Sequence, residues 1–227
     1  MKKKAQLSRI DTSEATKIIR WSLAKYDDAI ITTGLNLSGT VLLDIASKEG
    51  FTGKLIFVDT GFHFPETLYF WQELKARYDR ISFVKLSPRA ETGFLFETDP
   101  VKCCQINKIA PLEEYLLKTK PSALINARTR ESAKGRFGLQ VVENGIPIHI
   151  NPLVSFSRLD LEKYAKTNQL IVHPLYVSGY QSMGCWPCTK AVRPGDDPRS
   201  GRFLGQGRTE CGLWGSLGSP EPGITGL

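Results

Sequence analysis

The chain of 227 residues lacks any apolar run long enough to span a bilayer, which takes roughly 20 residues. It also lacks the apolar core of a signal peptide, because the basic start at Met1–Gln6 is followed by Asp11, Glu14, Lys17 and Arg20. We therefore expect a cytoplasmic protein with no membrane partner. In that reducing compartment structural disulfides are disfavoured, and paired cysteines more often bind metal or do redox work.

The chain has neither a long basic block nor an internal repeat. Its 30 basic and 23 acidic residues give a net charge of +7, and these charges are spread along the sequence. A moderate excess of this kind suits a small polyanionic substrate as well as a nucleic acid, and without a basic block we expect no nucleic-acid partner. The length and the hydrophobic fraction of 41% fit a soluble globular protein of one α/β domain, or of one domain with an appended segment.

Strand-like and helix-like segments alternate along the first two thirds of the chain. Strands are predicted at residues 29–33, 54–58, 81–86, 123–126 and 146–150. Helices are predicted from a cap at Ser38 to Gly50, from Pro65 to about Tyr78, and from a capping box of Ser157 and Asp160 to Thr167. This alternation predicts an α/β fold with a doubly wound, mostly parallel sheet, whose ligands bind beyond the carboxyl ends of the strands.

The composition of the chain changes at Gly195. From there the sequence is rich in glycine, is broken by Pro198, Pro220 and Pro222, and lacks the apolar periodicity of a helix. We therefore predict two parts, a nucleotide-binding α/β domain with the paired cysteines at residues 1–194 and a mobile segment at residues 195–227.

Five cysteines form an adjacent pair, a C-x-x-C pair and a single residue: Cys103 and Cys104, Cys185 and Cys188, and Cys211. Four thiols in two tight pairs suit one metal or iron–sulfur site, and the fifth is a candidate nucleophile. Asp99 and Pro100 predict a helix start that places the adjacent pair near a positive helix end, where thiolates are stabilised.

Two alternatives exist for the paired cysteines. The adjacent pair, Cys103 and Cys104, could be buried as small apolar residues, and the C-x-x-C pair could be a thioredoxin-like redox motif. That motif belongs near the start of a helix in a βαβ unit, whereas Cys185 and Cys188 precede Pro194 and the Gly-rich segment. Neighbouring residues such as Cys103 and Cys104 do not share a helix face, so a compact multi-iron cluster fits them better than one zinc ion.

Polar residues at the ends of the first two predicted strands are candidates for nucleotide binding. Gly34 and Ser38 lie between a strand and a helix, where backbone N–H groups favour a phosphate, and Asp59 could accept from a ribose or an adenine. Ordinary turn chemistry explains all three equally well. His63 in the same stretch is equally compatible with a structural hydrogen bond, and we do not assign it as a catalyst.

Basic residues near the cysteines are candidates for anion binding. Lys108 lies four residues after Cys104, on the same face if this segment is helical, and Arg199 and Arg202 precede Cys211. Guanidinium groups suit bidentate contacts with phosphate or sulfate.

With these motifs the chain resembles the assimilatory adenylyl-sulfate (APS) and phosphoadenylyl-sulfate (PAPS) reductases of the cluster-containing type. The matching runs are VDTGFHFPET from Val58, CCQINKIAPL from Cys103, NPLVSFSRLDL from Asn151, GCWPCTKA from Gly184, GDDPRSGR from Gly195 and TECGL from Thr209. They follow the family's order over roughly residues 29–214. The resemblance implies a fold of the adenine nucleotide α-hydrolase type.

The resemblance also implies roles for individual residues. It implies a 4Fe–4S cluster held by four ligands: Cys103, Cys104, Cys185 and Cys188. It implies that Cys211 is the nucleophile and that the basic substrate contacts are Lys108, Arg128, Arg199 and Arg202. The chain departs from the family in three places: Trp214 follows TECGL where the family commonly has His, Thr129 interrupts the usual paired arginines, and the first turn differs.

The sequence thus leads to an enzyme hypothesis. Cys211 attacks the sulfur of APS, AMP leaves, and a dithiol partner such as thioredoxin releases sulfite from the S-sulfocysteine. PAPS, or both substrates, is the alternative within the family, and a homo-oligomer stays open. Two alternatives belong to other classes: an ATP-dependent tRNA-thiolation enzyme, whose Ser-Gly-Gly-x-Asp-Ser loop is missing at residues 32–38, and a zinc-stabilised binding module without catalysis.

Overall fold

The structure is a computed structural model that describes residues 12–89, 92–132, 136–208 and 210–213. Six strands form one sheet in the order β3-β2-β1-β4-β6-β5, and every neighbouring pair is parallel except β5 and β6. The strands are β1 (Ile30–Thr33), β2 (Lys54–Val58), β3 (Ser82–Leu86), β4 (Ala123–Asn126), β5 (Val142–Glu143) and β6 (Ile148–Ile150).

Helices connect the parallel strands. They are α1 (Ser13–Lys25), α2 (Leu37–Lys48), α3 (Pro65–Arg77), α4 (Leu95–Thr98), α5 (Pro100–Cys104), α6 (Ala110–Thr119) and α7 (Arg158–Thr167). A π-helical turn, Gln105–Ile109, joins α5 to α6, and two short 3₁₀ turns lie at Pro174–Ser178 and Trp186–Cys188.

The sheet is buried on both faces because alternate strand residues point to opposite sides. Ile31 of β1 belongs to the larger apolar core, which includes buried residues of α1, α2, α3 and α7. Its neighbour Ile30 belongs to a smaller core on Leu112 and Leu116 of α6. Helices therefore cover both faces, as predicted for a doubly wound, mostly parallel sheet.

Helix boundaries agree with the predictions except at α2. Asp99 caps α5, and the reciprocal capping box of Ser157 and Asp160 opens α7. The predicted cap of α2 was wrong: Asn36, whose side chain accepts from Gly39 N, is the cap, and Ser38 lies inside the helix. Asn36 has extended backbone angles, as an N-cap residue normally does. The N-cap therefore lies two residues earlier in the chain than predicted.

The first part of the segment predicted to be mobile is packed against the domain. Arg202 pairs with Thr189 in an antiparallel bridge, and Phe203 is buried and donates its N–H to Cys188 O. Gly201 passes so close to Lys190 O that a Cβ would overlap it. The mobility of residues 195–227 stays a prediction, and Trp214 lies outside the described residues.

In the part of the chain that the structure describes, no helix has both the length and the apolar character needed to cross a membrane.

A buried carboxylate connects three of the helices. Asp44 of α2 accepts from the hydroxyls of Tyr78, at the end of α3, and Tyr164 of α7, at 3.1 and 2.7 Å. Lys48 lies 2.7 Å from the same carboxylate. Burial, followed by the neighbouring Asp44, raises the pKa values of both tyrosines, so the hydroxyls remain protonated donors.

We expect Asp44→Ala to lower the free energy of unfolding by about 3 kcal/mol, because two buried hydroxyls lose their acceptor. Urea unfolding measures this loss, and Asp79→Ala, at an exposed aspartate, is the matched control. A loss no larger than that of the control would contradict the structural role of Asp44.

Candidate active site and cysteine cluster

A cavity of about 640 Å³ opens at the carboxyl edge of the sheet. Its walls include the ends of β1 and β2 and the residues that follow β4, which is where a parallel sheet binds its ligands. The predicted residues that line it are Gly34, Ser38, Lys108, Arg128, Arg199, Arg202 and Cys211. The structure therefore brings together seven of the eight residues predicted for catalysis or substrate binding.

The first turn reaches the cavity with an exposed backbone. Gly34 is exposed, with Asn36 Nδ2 at 4.0 Å from the position of a Cβ, and Leu35 adopts a left-handed conformation with φ of 55°. The Leu35 N–H donates to Thr33 Oγ1, and Ser38 Oγ donates to Asn36 Oδ1 at 3.0 Å. A non-glycine residue in this conformation is a costly arrangement that concentrates at functional sites.

Asp59 is the predicted residue that does not line the cavity. Its Oδ1 accepts from Gly61 N at 3.1 Å, and its Oδ2 lies 3.2 Å from Lys85 Nζ. The carboxylate thus closes the turn after β2 and neutralises a lysine of β3. This is the structural role in a turn that is the alternative to nucleotide binding for Asp59. A contact between Asp59 and a bound nucleoside finds no support in this geometry.

Arg128 lies on the cavity wall but is only 6% exposed. Its guanidinium pairs with Glu143 and donates from Nε to Asn151 Oδ1 at 3.2 Å. These partners fix the side chain between β5 and the residue that follows β6.

The two cysteine pairs line one small cavity beside the large one. Cys103 and Cys104 lie in α5, and the loop with Cys185 and Cys188 is attached through Trp186 N, which donates to Phe62 O at 2.8 Å. All five cysteines are free thiols. Within the described ranges no group of three or more His, Cys, Asp or Glu side chains could hold a metal ion as placed.

Each paired thiol has its own polar neighbour. In the first pair, Cys103 Sγ lies 3.5 Å from Asn107 Nδ2 and Cys104 Sγ lies 3.5 Å from Arg208 Nη1. In the second pair, Cys185 Sγ lies 3.2 Å from Thr60 Oγ1 and Cys188 Sγ lies 3.6 Å from Gln206 Nε2. Arg208 Nε in turn donates to Gln206 Oε1, and its guanidinium lies over the ring of Phe203. The segment after residue 200 therefore contacts both cysteine pairs.

The electrostatics of the cysteine cavity favour a bound cationic group. Burial raises the pKa of the Cys103 thiol, and the neighbouring thiols add to this rise against the hydrogen bond from Asn107. Burial also raises the pKa of Cys104, against the attraction of Lys108. Four thiolates cannot share so small a space without positive charge, and a coordinated metal supplies it.

Lys108 lies between the two cavities and lines both. Burial lowers its pKa, but the sulfurs of Cys185, Cys211 and Cys104 act against burial, and the net shift is upward. The ammonium group is therefore permanently charged and faces both the cysteine pairs and the candidate nucleophile. It is held there by the π-helical turn, in which one extra residue per turn changes the direction of the side chains.

Arg202 connects the last described segment to the C-x-x-C loop. Its guanidinium donates to Met183 O at 2.5 Å, to Ser182 Oγ at 3.2 Å and to Cys188 O at 3.2 Å. A Cβ on Gly184 would overlap this guanidinium. Arg202 thus shapes the loop that carries Cys185 in addition to lining the cavity.

Three residues of this region carry contacts that no local sequence pattern indicates. Glu210 pairs with Arg136 at 3.0 Å and with Arg199 at 3.3 Å, directly before the half-buried Cys211. Arg136 lies 74 residues earlier in the chain, so only the folded structure reveals the pair. Glu210 itself belongs to the TECGL run, which is the one signal that could have identified it.

Three comparisons with known proteins extend this description. A family model described as the phosphoadenosine phosphosulfate reductase domain matches residues 28–191. A Deinococcus radiodurans protein named adenosine 5′-phosphosulfate reductase is 47% identical over 204 residues, which cover 87% of this chain and 80% of that protein.

Solved structures give the same result for the fold. A crystal structure of phosphoadenylyl-sulfate reductase from Candida auris, a phosphate complex, has a TM-score of 0.67 at 26% identity and covers 76% of this chain and 88% of that chain. Yeast FAD synthetase with FAD has a TM-score of 0.61 at 14% identity, covers 84% and 70%, and is a likeness of fold alone. The predicted adenine nucleotide α-hydrolase-like fold is confirmed.

All three histidines of the chain are held neutral in the fold. Burial lowers the pKa values of His63, His149 and His173 to about 4, with help from Lys108 at His63 and from Arg128 at His149. His63 Nε2 donates to Val58 O, and His173 Nε2 contacts Thr67 Oγ1 at 2.9 Å. None of them is a proton donor at neutral pH.

These lowered pKa values predict a pH-dependent stability. The unfolded chain takes up as many as three protons below its ordinary histidine pKa near 6.5, whereas the folded chain takes them up only near 4, so stability falls as the pH drops from about 6.5 to 5. Urea unfolding across this range measures the slope. His173→Gln should reduce the slope by about a third, and a slope unchanged by that substitution would contradict the prediction.

Proposed function

The chain belongs to the phosphoadenosine phosphosulfate reductase domain family, and from this premise we propose that it reduces adenosine 5′-phosphosulfate (APS) to sulfite and AMP. One observation carries the proposal for this chain itself. The lone Cys211 and the cationic side chains of Lys108, Arg199 and Arg202 line the same cavity at the carboxyl edge of the sheet. A nucleophile surrounded by cations suits an anionic substrate with an electrophilic centre.

The first step is nucleophilic attack by the Cys211 thiolate on the sulfur of the sulfate. An S–S bond forms as the bond between that sulfur and the bridging oxygen breaks, and AMP leaves with the electron pair on its phosphate. Lys108 stabilises the Cys211 thiolate before the attack, and Arg199 and Lys108 stabilise the charge that moves to the phosphate. The product on the protein is an S-sulfocysteine.

The second step regenerates the thiol with a dithiol protein such as thioredoxin. One partner thiolate attacks the Cys211 sulfur, sulfite leaves, and a mixed disulfide forms. The second partner thiol then attacks the partner's own sulfur in that disulfide, so that Cys211 is released as a thiol and the partner is oxidised. This step needs Cys211 to leave the cavity wall, which is consistent with its position in the Gly-rich segment. A reducing cytoplasm, the compartment proposed here, supplies such dithiols.

We further propose a 4Fe–4S cluster bound by Cys103, Cys104, Cys185 and Cys188. The support is the donor set: four thiols line one cavity, each with a polar neighbour. Burial raises the pKa values of Cys103 and Cys104, so their thiolates need a cation beside them. When bound, the cluster would offset part of the negative charge of the four thiolates and would tie the two cysteine pairs together beside the substrate cavity. The side chains of Thr60, Asn107, Gln206 and Arg208, which contact the four sulfurs, would then donate hydrogen bonds to the ligating thiolates, as supporting residues around metal sites generally do.

APS is proposed ahead of PAPS because of the relatives. The Deinococcus radiodurans protein named for the APS reaction is 47% identical to this chain, whereas the Candida auris structure named for PAPS is 26% identical. Both substrates carry the same sulfate and differ at the ribose, so the roles of Cys211 and Lys108 are the same for either one.

The nucleophile is tested by sulfite release from APS and from PAPS, with thioredoxin as reductant. We expect Cys211→Ser to abolish sulfite release, by more than about a thousandfold, because the hydroxyl cannot replace the thiolate. APS binding to the variant should remain, which separates lost chemistry from lost folding. Sulfite release by Cys211→Ser would disprove the mechanism, and faster release from PAPS would overturn the choice of substrate.

The cluster is tested on protein purified without oxygen. We expect the wild-type protein to be brown and to contain iron and acid-labile sulfide in equal amounts, and Cys185→Ala to lose most of both. Cys211→Ser is the matched control and should keep both, since Cys211 is not a proposed ligand. A colourless wild-type protein that contains zinc would contradict the proposal.

A further inference from the structure

Only one of the two carboxylate oxygens of Glu210, the residue directly before Cys211, has polar partners among the described residues. Its Oε2 lies 3.0 Å from Arg136 Nη2 and 3.3 Å from Arg199 Nη2. Its other oxygen, Oε1, is buried and has no hydrogen-bond partner among the described residues. Two guanidinium groups therefore converge on one carboxylate oxygen, while the second oxygen has lost water and gained nothing in return.

The two arginines that hold Glu210 also line the substrate cavity. Burial lowers the pKa of Arg199, Glu210 acts against this, and Arg202 and Arg136 lower it further. Such a group of half-buried cations requires an anion beside it. Guanidinium pairs suit a tetrahedral oxyanion, which offers three terminal oxygens where a carboxylate offers two.

We propose that Glu210 is a placeholder for the substrate's sulfate. In the ligand-free chain its carboxylate occupies Arg136 and Arg199, and the sulfate displaces it from both. This inference rests on the proposed function, because the group next to the nucleophile must be the one that is attacked. Cys211 follows Glu210 directly, so when the sulfate replaces the Glu210 carboxylate, the Cys211 thiolate lies beside the sulfur of the sulfate. The loss of the two ion pairs of Glu210 also loosens the segment that carries Cys211, which helps its later contact with the reductant.

The placeholder makes Arg136 a residue for recognising sulfate. In the sequence Arg136 is one of several arginines suited to such a contact, and the pair with Glu210 distinguishes it from the others. It also predicts that the AMP part of the substrate binds without disturbing Glu210. Binding of APS and binding of AMP should therefore respond differently to any change at residue 210.

Binding is measured by calorimetry in a Cys211→Ser background, where APS cannot react. An internal competitor reduces the apparent affinity to the intrinsic affinity multiplied by the fraction of sites it leaves free. If Glu210 leaves about a fifth to a tenth of the sites free, Glu210→Gln should tighten APS binding by about five- to tenfold. AMP binding should not change. Glu49→Gln is the matched control, because Glu49 is similarly buried, with 14% side-chain exposure against 18%, and pairs with a surface arginine, Arg20. Weaker or unchanged APS binding in Glu210→Gln would overturn the placeholder.

A second experiment measures the rate at which trypsin cleaves after Arg208, which reports how tightly the segment with Glu210 and Cys211 is held. In the Cys211→Ser background, APS should speed this cleavage and AMP should not, whereas Glu210→Gln should be cleaved quickly without ligand. Slower cleavage with APS would mean that Glu210 stays paired with the arginines when the substrate binds, and would overturn the proposal. If Glu210→Gln does not fold, Glu210→Asp, whose side chain is shorter by one methylene and should bind the two arginines less well, should show the same changes to a smaller extent.

The two proposals fail separately. Sulfite release by the wild-type protein tests the proposed function, whatever residue 210 does. Normal sulfite release together with unchanged APS binding in Glu210→Gln would reject the placeholder alone.

Discussion

The charge of Lys108 is the interaction on which the rest of this site depends. Its ammonium faces the paired cysteines on one side and Cys211 on the other, and the attraction of these sulfurs exceeds the effect of its burial. A half-buried, largely desolvated cation of this kind persists only when anions surround it. The two cavities are therefore electrostatically one site, and a change in the charge of one cavity alters the electrostatic potential in the other.

A second connection is mechanical and runs through Arg202. Its guanidinium joins the loop of Cys185 and Cys188 to the segment that leads to the nucleophile, and Gly184 and Gly201 allow the close approach. Gln206 and Arg208 extend the same connection to the sulfurs. Within the described residues, the chain after residue 195 is thus built into the cysteine site and is not merely appended to the domain.

Much of this could be predicted because the signals are local. Apolar runs define β2 and β4, the Ser157 and Asp160 pair is a capping box, and the spacing of the cysteines indicates their pairing. One predicted cap was wrong, and the role of one carboxylate could not be decided from the sequence, each for a physical reason. Asn36 and Ser38 are both good caps, and the extended backbone at Asn36 selects between them. Asp59 could serve a ligand or a turn, and the approach of Lys85 from β3, which no local pattern records, favours the turn. Arg136 and Glu210 meet only through folding.

The π-helical turn at Gln105–Ile109 has a consequence for how this region can vary. An extra residue in one turn shifts everything beyond it by about 100° around the helix axis relative to an unbroken α-helix. Deleting one residue there would restore regular winding and rotate α6 against Cys103 and Cys104, so that either its apolar face or the thiols would leave their places. Gln105, the exposed residue of this stretch, can therefore be substituted, but the length of the stretch cannot change.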